Sequence, residues 1–263
     1  MEVSLLKKIK EKNQPKKRNM FRKIVFTALI LTVTMSANAQ DWFGNSKNIK
    51  GNGKVVSVNR TTSDYDRVIV GGSFDVILVK GKEGKITIEG EENIIPYLET
   101  EVNRNTLQVK YRKNIHIRTT KRLTVTVTYK DIDKVSLGGS GNITNEGIIK
   151  SNDFTVALGG SGNITLRVDA DKVDSKIGGS GNIKLSGSSI ELDCSIAGSG
   201  SIKAYDLTTD TLNATIAGSG NIRITVNTKI KAKVVGSGSI YYKGKPQSVD
   251  SKSVGSGSVI DKN

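Results

Sequence analysis

A short glycine-rich motif recurs seven times in the second half of the chain and constrains the fold more than any other feature. Its copies read GGSGNI, AGSGSI, AGSGNI, VGSGSI or VGSGSV, and their central serines are 18 to 21 residues apart: Ser140, Ser161, Ser180, Ser199, Ser219, Ser237 and Ser256. Residues 70–74, with the sequence VGGSF, resemble a degenerate eighth copy. A fixed period near 20 residues indicates a repeat architecture in which each repeat is one structural unit.

Between the motifs, apolar and polar residues alternate, as in residues 154–158, 164–168 and 212–216. Alternation with a period of two is typical of strands with one buried face. A unit of this length cannot bury its apolar face alone, whereas stacked units can. The sequence therefore predicts an all-β fold in which residues 131–263 form a β-solenoid. Each repeat of about nineteen residues, with one motif in it, would be one coil, with about 4.8 Å between coils.

Each residue type within the motif has an expected role in such a coil. The glycines permit positive φ at a tight corner, which β-branched residues cannot adopt. The isoleucine that ends the motif, as in Ile143 and Ile164, is expected to stack inward on its equivalents. The preceding Asn or Ser is expected to form a ladder of side-chain hydrogen bonds along the rod.

Residues 68–130 lack the motif and are expected to be a less regular β segment that begins or caps the solenoid. Open ends of a β-rod invite edge-to-edge pairing and need such a cover. Residues 91–99 contain Pro96 and are expected to be an irregular or helical excursion, and residues 40–67 a leader whose end pairs as an edge strand. The expected strands are 73–79, 85–89, 106–111 and 122–129.

The first 39 residues resemble an export signal. Arg22 and Lys23 precede the apolar run 24–35, which is too short to span a bilayer, and residues 37–39 fit the A-x-A rule. We expect a signal peptide cleaved after Ala39, with an uncleaved anchor as the alternative. No cysteine follows the run, which excludes the bacterial lipoprotein route. Residues 1–19 are a Lys-rich prefix, and since Met20 offers an ordinary start, whether they are translated stays open.

Nearly half of the formal charge of +15 disappears with this segment. Residues 1–39 hold nine Lys/Arg and two Asp/Glu, so 31 basic and 23 acidic residues follow, a net charge of +8. Such an excess favours solubility and a weak attraction to anionic surfaces such as lipopolysaccharide. The bases alternate with apolar residues, as at Lys231 and Lys233, which is typical of a solvated strand face. We therefore expect no nucleic-acid partner.

The scarcity of histidine and cysteine narrows the possible chemistry. His116 is the single histidine and Cys194 the single cysteine, which excludes a His-based metal cluster and an internal disulfide. Cys194 shares the strand face of Leu192 and Ile196, so we expect a small buried residue rather than a catalytic thiol, which would need a nearby base. His116 is expected to be an exposed strand residue.

The glycine motifs themselves do not predict a cofactor. They resemble the start of a calcium-binding nonapeptide, but Ile143, Ile164 and Ile183 occupy the position at which calcium requires Asp. Phosphate-binding glycine loops open a helix and are followed by Lys, whereas these loops join strands. We therefore expect no metal and no cofactor.

Clustered carboxylates leave an enzymatic alternative open. Some β-helix enzymes cut polysaccharides with paired carboxylates, and such residues occur between the motifs: Asp131, Asp133, Asp169, Asp171, Asp174, Asp206 and Asp210. Because Asp is also common where strands end, we assign no catalytic residue.

Tyr241 and Tyr242 are adjacent, so one of the two rings must face outward. That ring would either dock a ligand or simply lie at a sheet edge.

Several motifs in order resemble a known family. Residues 71–78 read GGSFDVIL, residues 92–100 read ENIIPYLET, an Asn-x-Leu-x-Val strand follows at 105–109, and the GSGNI repeats come last. Over residues 65–260 the chain resembles the head GIN domain family of auto-transporter adhesins, which is frequent in Bacteroidetes. This resemblance implies a right-handed parallel β-helix-like fold and an exported protein, and it supplies no catalytic residues.

Together these observations predict an exported, non-enzymatic binding or adhesion module at the cell surface or in the periplasm. Its partner would be a polysaccharide or a surface protein, because a rod offers long polar faces for many weak contacts. A structural envelope protein that assembles end to end or side by side is the first alternative. A carbohydrate-active β-helix enzyme is the second.

Overall fold

The repeats form a stack of parallel coils in the computed structural model, which describes residues 47–263. Residues Asn48–Asn263 form one compact unit. The expected signal peptide, its cleavage after Ala39 and residues 40–46 lie outside the described residues. Within them there is no α-helix, and the single helical element is a 3-10 turn at Ile95–Tyr97.

Each central coil consists of one strand of 16 to 18 residues that begins after one motif and ends at the first glycine of the next GSG. Parallel register joins equivalent residues of successive coils, for example Asn163 with Asn182 and Gly179 with Gly198. The predicted all-β solenoid is therefore confirmed. The strands of this stack are β10 (Lys134–Gly139), β11 (Asn142–Glu146), β12 (Ile149–Gly160), β13 (Asn163–Gly179), β14 (Asn182–Gly198), β15 (Ser201–Gly218), β16 (Asn221–Gly236), β17 (Ser239–Lys243), β18 (Ser248–Val254) and β19 (Val259–Asp261).

The degenerate eighth copy belongs to the same stack. Strand β3 (Arg67–Gly72) pairs in parallel with β10, which aligns Gly71 with Gly138 and Gly72 with Gly139. Strand β4 (Asp75–Lys80) pairs in the same way with β11. The parallel coils therefore begin inside the segment that lacks the full motif.

At the N-terminal end the parallel stack gives way to antiparallel strands. Strands β7 (Thr106–Tyr111) and β9 (Thr124–Tyr129) pair in parallel with β3 and β4. Beyond them, β5 (Lys85–Glu91) is antiparallel to β9, β2 (Val55–Thr61) to β5, and β6 (Leu98–Asn103) to β7. A separate two-stranded sheet joins β1 (Lys47–Lys50) to β8 (Ile115–Arg118). The expected excursion at 91–99 is the 3-10 turn, followed by a strand that the sequence did not predict.

The core consists of apolar columns that run along the stack. The isoleucines of the motif are fully buried, as predicted: Ile143, Ile164, Ile183, Ile202, Ile222 and Ile240. Burying such a side chain stabilises the fold by roughly 1.5–3 kcal/mol. Since each coil supplies one isoleucine to the column, no coil could bury its own alone.

The predicted side-chain ladder is present in the first coils. The side-chain amide of Asn142 donates to a carboxylate oxygen of Asp75 at 2.7 Å. Asn163 donates to Asn142 at 3.0 Å, and Asn182 donates to Asn163 at 3.1 Å. The next position in the column is Ser201, whose short side chain carries no amide, so the amide ladder ends there.

Candidate binding surface

One wall of the last coils carries an unpaired group of lysines. The alternation of β16 directs Ile230, Ala232 and Val234 into the core, so the lysines between them face outward. Strand β18 stacks on β16 with Lys252 beside Lys233. We call the four lysines Lys229, Lys231, Lys233 and Lys252 the basic patch.

No member of the basic patch forms a side-chain hydrogen bond, ion pair or ring contact within residues 47–263. Asp250 is aligned with Lys231 in the register of β18 and is the acidic residue nearest in sequence. A shallow depression of about 580 Å³ lies at this wall, lined mainly by polar side chains, among them Asn213, Thr215, Lys231, Lys233, Asp250 and Lys252. The patch therefore presents free ammonium groups to solvent.

On β13 to β15, the coils before the patch, the same wall satisfies its charges internally. The ammonium of Lys172 lies 2.9 Å from Asp193 and 3.4 Å from Glu191. The amide of Asn213 donates to both carboxylates, at 2.8 and 3.0 Å. The hydrogen bond and charge of Asp193 raise the pKa of Lys172. Burial opposes ionisation of Asp193, but Asn213 and Lys172 outweigh it and lower the pKa of that carboxyl.

The distribution of charge along the rod agrees with this contrast. Residues 134–220 contain seven Lys/Arg and nine Asp/Glu, whereas residues 221–263 contain eight Lys/Arg and only Asp250 and Asp261. The last coils therefore carry most of the positive excess that follows residue 39. Such a concentration creates a local field that attracts anions.

The structure separates the carboxylates proposed for the enzymatic alternative. Asp169 accepts from the Ser188 hydroxyl at 2.7 Å and, with Asp171, borders an open depression that includes neither Asp206 nor Asp210. The register aligns Asp169 with Ser188 but Asp206 with Ser186, so the two acids occupy different columns.

Most of these carboxylates form an ion pair or a hydrogen bond with a nearby side chain. Asp206 lies 3.3 Å from Lys184, and Asp210 accepts from Asn227 at 3.2 Å. The other three each contact a basic side chain: Asp131 with Lys80, Asp133 with Arg67, and Asp174 with Lys176. Among the described residues, no three His, Cys, Asp or Glu side chains are placed to hold a metal ion.

The remaining candidates lie where the sequence placed them. His116 is exposed on β8, and Cys194 is 3% exposed within the core. Burial, followed by the charges of Asp193 and Asp174, raises the pKa of the Cys194 thiol. This thiol is therefore protonated and shielded, which disfavours nucleophilic chemistry.

The tyrosine pair offers no open aromatic platform. The guanidinium of Arg223 lies 5.3 Å from the ring centre of Tyr241, and the ammonium of Lys262 lies 5.7 Å from it. Tyr242 packs partly against the core.

From the sequence alone, Lys231 and Lys233 were interpreted as an ordinary solvated strand face. The excess of basic residues after residue 220 was nevertheless a visible signal for the basic patch.

Comparison with known proteins identifies the class of this fold. The family described as "Putative auto-transporter adhesin, head GIN domain" matches residues 64–246. The chain therefore belongs to this family, which confirms the resemblance noted in its sequence. A comparison with curated proteins found no match.

Solved structures share the architecture. A protein from Bacteroides fragilis named a putative adhesin has a TM-score of 0.78 at 24% identity, and the match covers 81% of this chain and 100% of that one. A protein from Parabacteroides distasonis named a putative lipid binding protein has a TM-score of 0.70 at 27% identity, covering 82% and 100%. A protein from Parabacteroides merdae named a putative adhesin has a TM-score of 0.68 at 25% identity, covering 82% and 100%. In the described part of this chain, no helix is long and apolar enough to cross a membrane.

Proposed function

We propose that this chain is an exported, non-enzymatic adhesion module that binds acidic polysaccharide through the basic patch. The observation that carries the proposal is the unpaired state of Lys229, Lys231, Lys233 and Lys252 on one wall. The family description and the neighbours named putative adhesins support an adhesive role. The sequence of residues 20–39, with its expected cleavage after Ala39, supports export.

The geometry of the patch suits a polymer better than a small ligand. Lysines two residues apart on a strand are about 6.8 Å apart, and neighbouring coils are about 4.8 Å apart. A chain with repeated carboxylate or sulfate groups can contact several of these ammonium groups at once. Each exposed contact contributes little, so affinity depends on their number.

The structural neighbour named a putative lipid binding protein makes an anionic lipid the second candidate partner. Six of the eight residues that line the depression at the patch have polar or charged side chains, and the other two, Ala214 and Ala232, are buried. It therefore has no large apolar side chain to enclose an acyl chain. A lipid would be held by its headgroup alone, so polysaccharide is the favoured partner.

Binding arrays on residues 48–263 would test this proposal, because these residues form one compact unit. The arrays would include acidic polysaccharides, neutral polysaccharides, matrix proteins and vesicles of anionic lipid. The test variant combines Lys229→Gln, Lys231→Gln and Lys233→Gln. The control combines Lys82→Gln, Lys113→Gln and Lys121→Gln, which removes the same charge from exposed positions in the N-terminal part.

We expect saturable binding to an acidic polysaccharide that the test variant loses and the control keeps. Binding only to anionic vesicles would shift the assignment to a lipid headgroup. Binding to a matrix protein that does not respond to the test variant would contradict the role of the patch.

A further inference from the structure

The last strand of the long stack has one free edge. Strand β18 pairs with β16, whereas the following strand β19 pairs with β17, and no register among residues 47–263 joins a strand to the other edge of β18. All seven of its residues are exposed. A free edge presents unpaired backbone N–H and C=O groups that can hydrogen-bond to another strand.

The core is also uncovered at this end. Val249, Ser251 and Ser253 continue the columns of Ile230, Ala232 and Val234, but nothing described lies above them. Val249 is 43% exposed. Burial of this apolar side chain by a second copy favours association through this end.

The sequence of β18 is complementary to itself when two copies run antiparallel. The strand reads SVDSKSV, with Ser251 at its centre. If a two-fold axis passes through Ser251, Asp250 of one subunit lies opposite Lys252 of the other, and this pair occurs twice. Both side chains face outward, and neither forms an ion pair within residues 47–263. A parallel arrangement in register would instead place like charges together, which is unfavourable.

We propose that two copies of this chain associate tail to tail by antiparallel pairing of their β18 strands, centred on Ser251. The contact uses the same surface of both copies and therefore closes at a dimer. It extends the sheet across the two-fold axis, forms two Asp250–Lys252 pairs and covers Val249.

The positive charge of both ends opposes this association at long range. At physiological ionic strength the screening length is about 8 Å, so distant lysines are largely screened while the directly opposed pairs are not. The dimer is therefore expected at physiological salt and is weakened at low salt. It would also place the two basic patches on either side of one axis, so that a single polyanion could contact both.

Sedimentation equilibrium of the purified chain over a wide concentration range tests the proposal without any ligand. Asp250→Lys and Lys252→Asp each place like charges in opposition and are expected to weaken the dimer about tenfold. An equimolar mixture of these two variants restores opposite charges at both pairs, so a heterodimer of wild-type strength is expected. The double variant Asp250→Lys/Lys252→Asp is expected to dimerise as the wild type does.

Asp171→Lys and Lys203→Asp are the matched controls, because they make the same charge changes at exposed positions on inner coils. Circular dichroism of every variant separates loss of pairing from loss of fold. A chain that is monomeric at all concentrations would overturn the proposal. So would a dimer that Asp250→Lys leaves intact, or two single variants that fail to pair when mixed.

Discussion

The corner glycines offer the sharpest test of the stacked-coil architecture, and Gly179→Ala is the perturbation of choice. Gly179 has a φ of +143°, which L side chains rarely adopt. A Cβ added there would lie 3.0 Å from the backbone nitrogen and 3.2 Å from the carbonyl carbon of Gly160, and closer still to its carbonyl oxygen. These atoms belong to the preceding coil, so the clash cannot be relieved by rotating a side chain.

Two contributions set the size of the effect. A residue held in such a region of φ and ψ costs about 1–3 kcal/mol. Forcing the coils apart adds about 1–3 kcal/mol, as in other overpacked sites. We therefore expect Gly179→Ala to lower the free energy of unfolding by about 3 kcal/mol or more.

The neighbouring Gly178 supplies a matched control in the same motif. No atom outside its chain neighbours lies within 4 Å of a Cβ added at Gly178, and its register partner in the next coil is already Ala197. Gly178→Ala is therefore expected to leave stability unchanged or to raise it by about 0.4–1 kcal/mol, because alanine restricts the unfolded chain. Urea denaturation followed by circular dichroism compares the two variants, and equal midpoints would refute the reasoning.

Three further predictions concern buried polar groups. Burial disfavours the charged form of Glu91, but hydrogen bonds from Thr120, Gly53 and Lys121 outweigh it and lower its pKa to about 2. Ionised Glu91 therefore stabilises the fold above pH 4.5, and this stabilisation is lost as the pH falls from there through about 2. Denaturation midpoints across this window should fall less in Glu91→Gln than in the wild type, and an equal fall would contradict the prediction. The Ser175 hydroxyl is fully buried without a hydrogen-bond partner among the described residues, so Ser175→Ala should stabilise the protein by about 1 kcal/mol in urea denaturation, and destabilisation would reveal a partner. The buried Cys194 thiol should react with a thiol reagent only after denaturation, and rapid labelling of the native protein would show that this core opens.

Much of the solenoid could be predicted because its period is written directly into the chain. The regular spacing of the GSG motifs fixes the coil length, and the alternation around Ile164 and Ile222 fixes which side chains face inward. The same alternation does not reveal the direction of a partner strand. It therefore could not predict that β5 and β2 extend the sheet with antiparallel pairing. Strand β6, with the sequence LETEVN, was missed because it is mostly polar and only Leu98 is buried.

The candidate site was harder to predict than the fold for a similar reason. Lys231 and Lys233 in isolation are typical of any solvated strand. They become a patch only because the register sets Lys252 beside Lys233 and leaves Asp250 as the one acidic neighbour on β18. In contrast, Lys172 lies beside Glu191 and Asp193 of the next coil. Whether a lysine is free depends on contacts about nineteen residues away.

The most direct test of the account is a titration of residues 48–263 with an acidic polysaccharide, with a parallel assay for released oligosaccharides. The account predicts saturable binding that weakens as salt increases, because exposed charges are screened, and no released product. Absence of binding would contradict the proposed recognition of acidic polysaccharide through the basic patch. Release of oligosaccharides would contradict the non-enzymatic assignment.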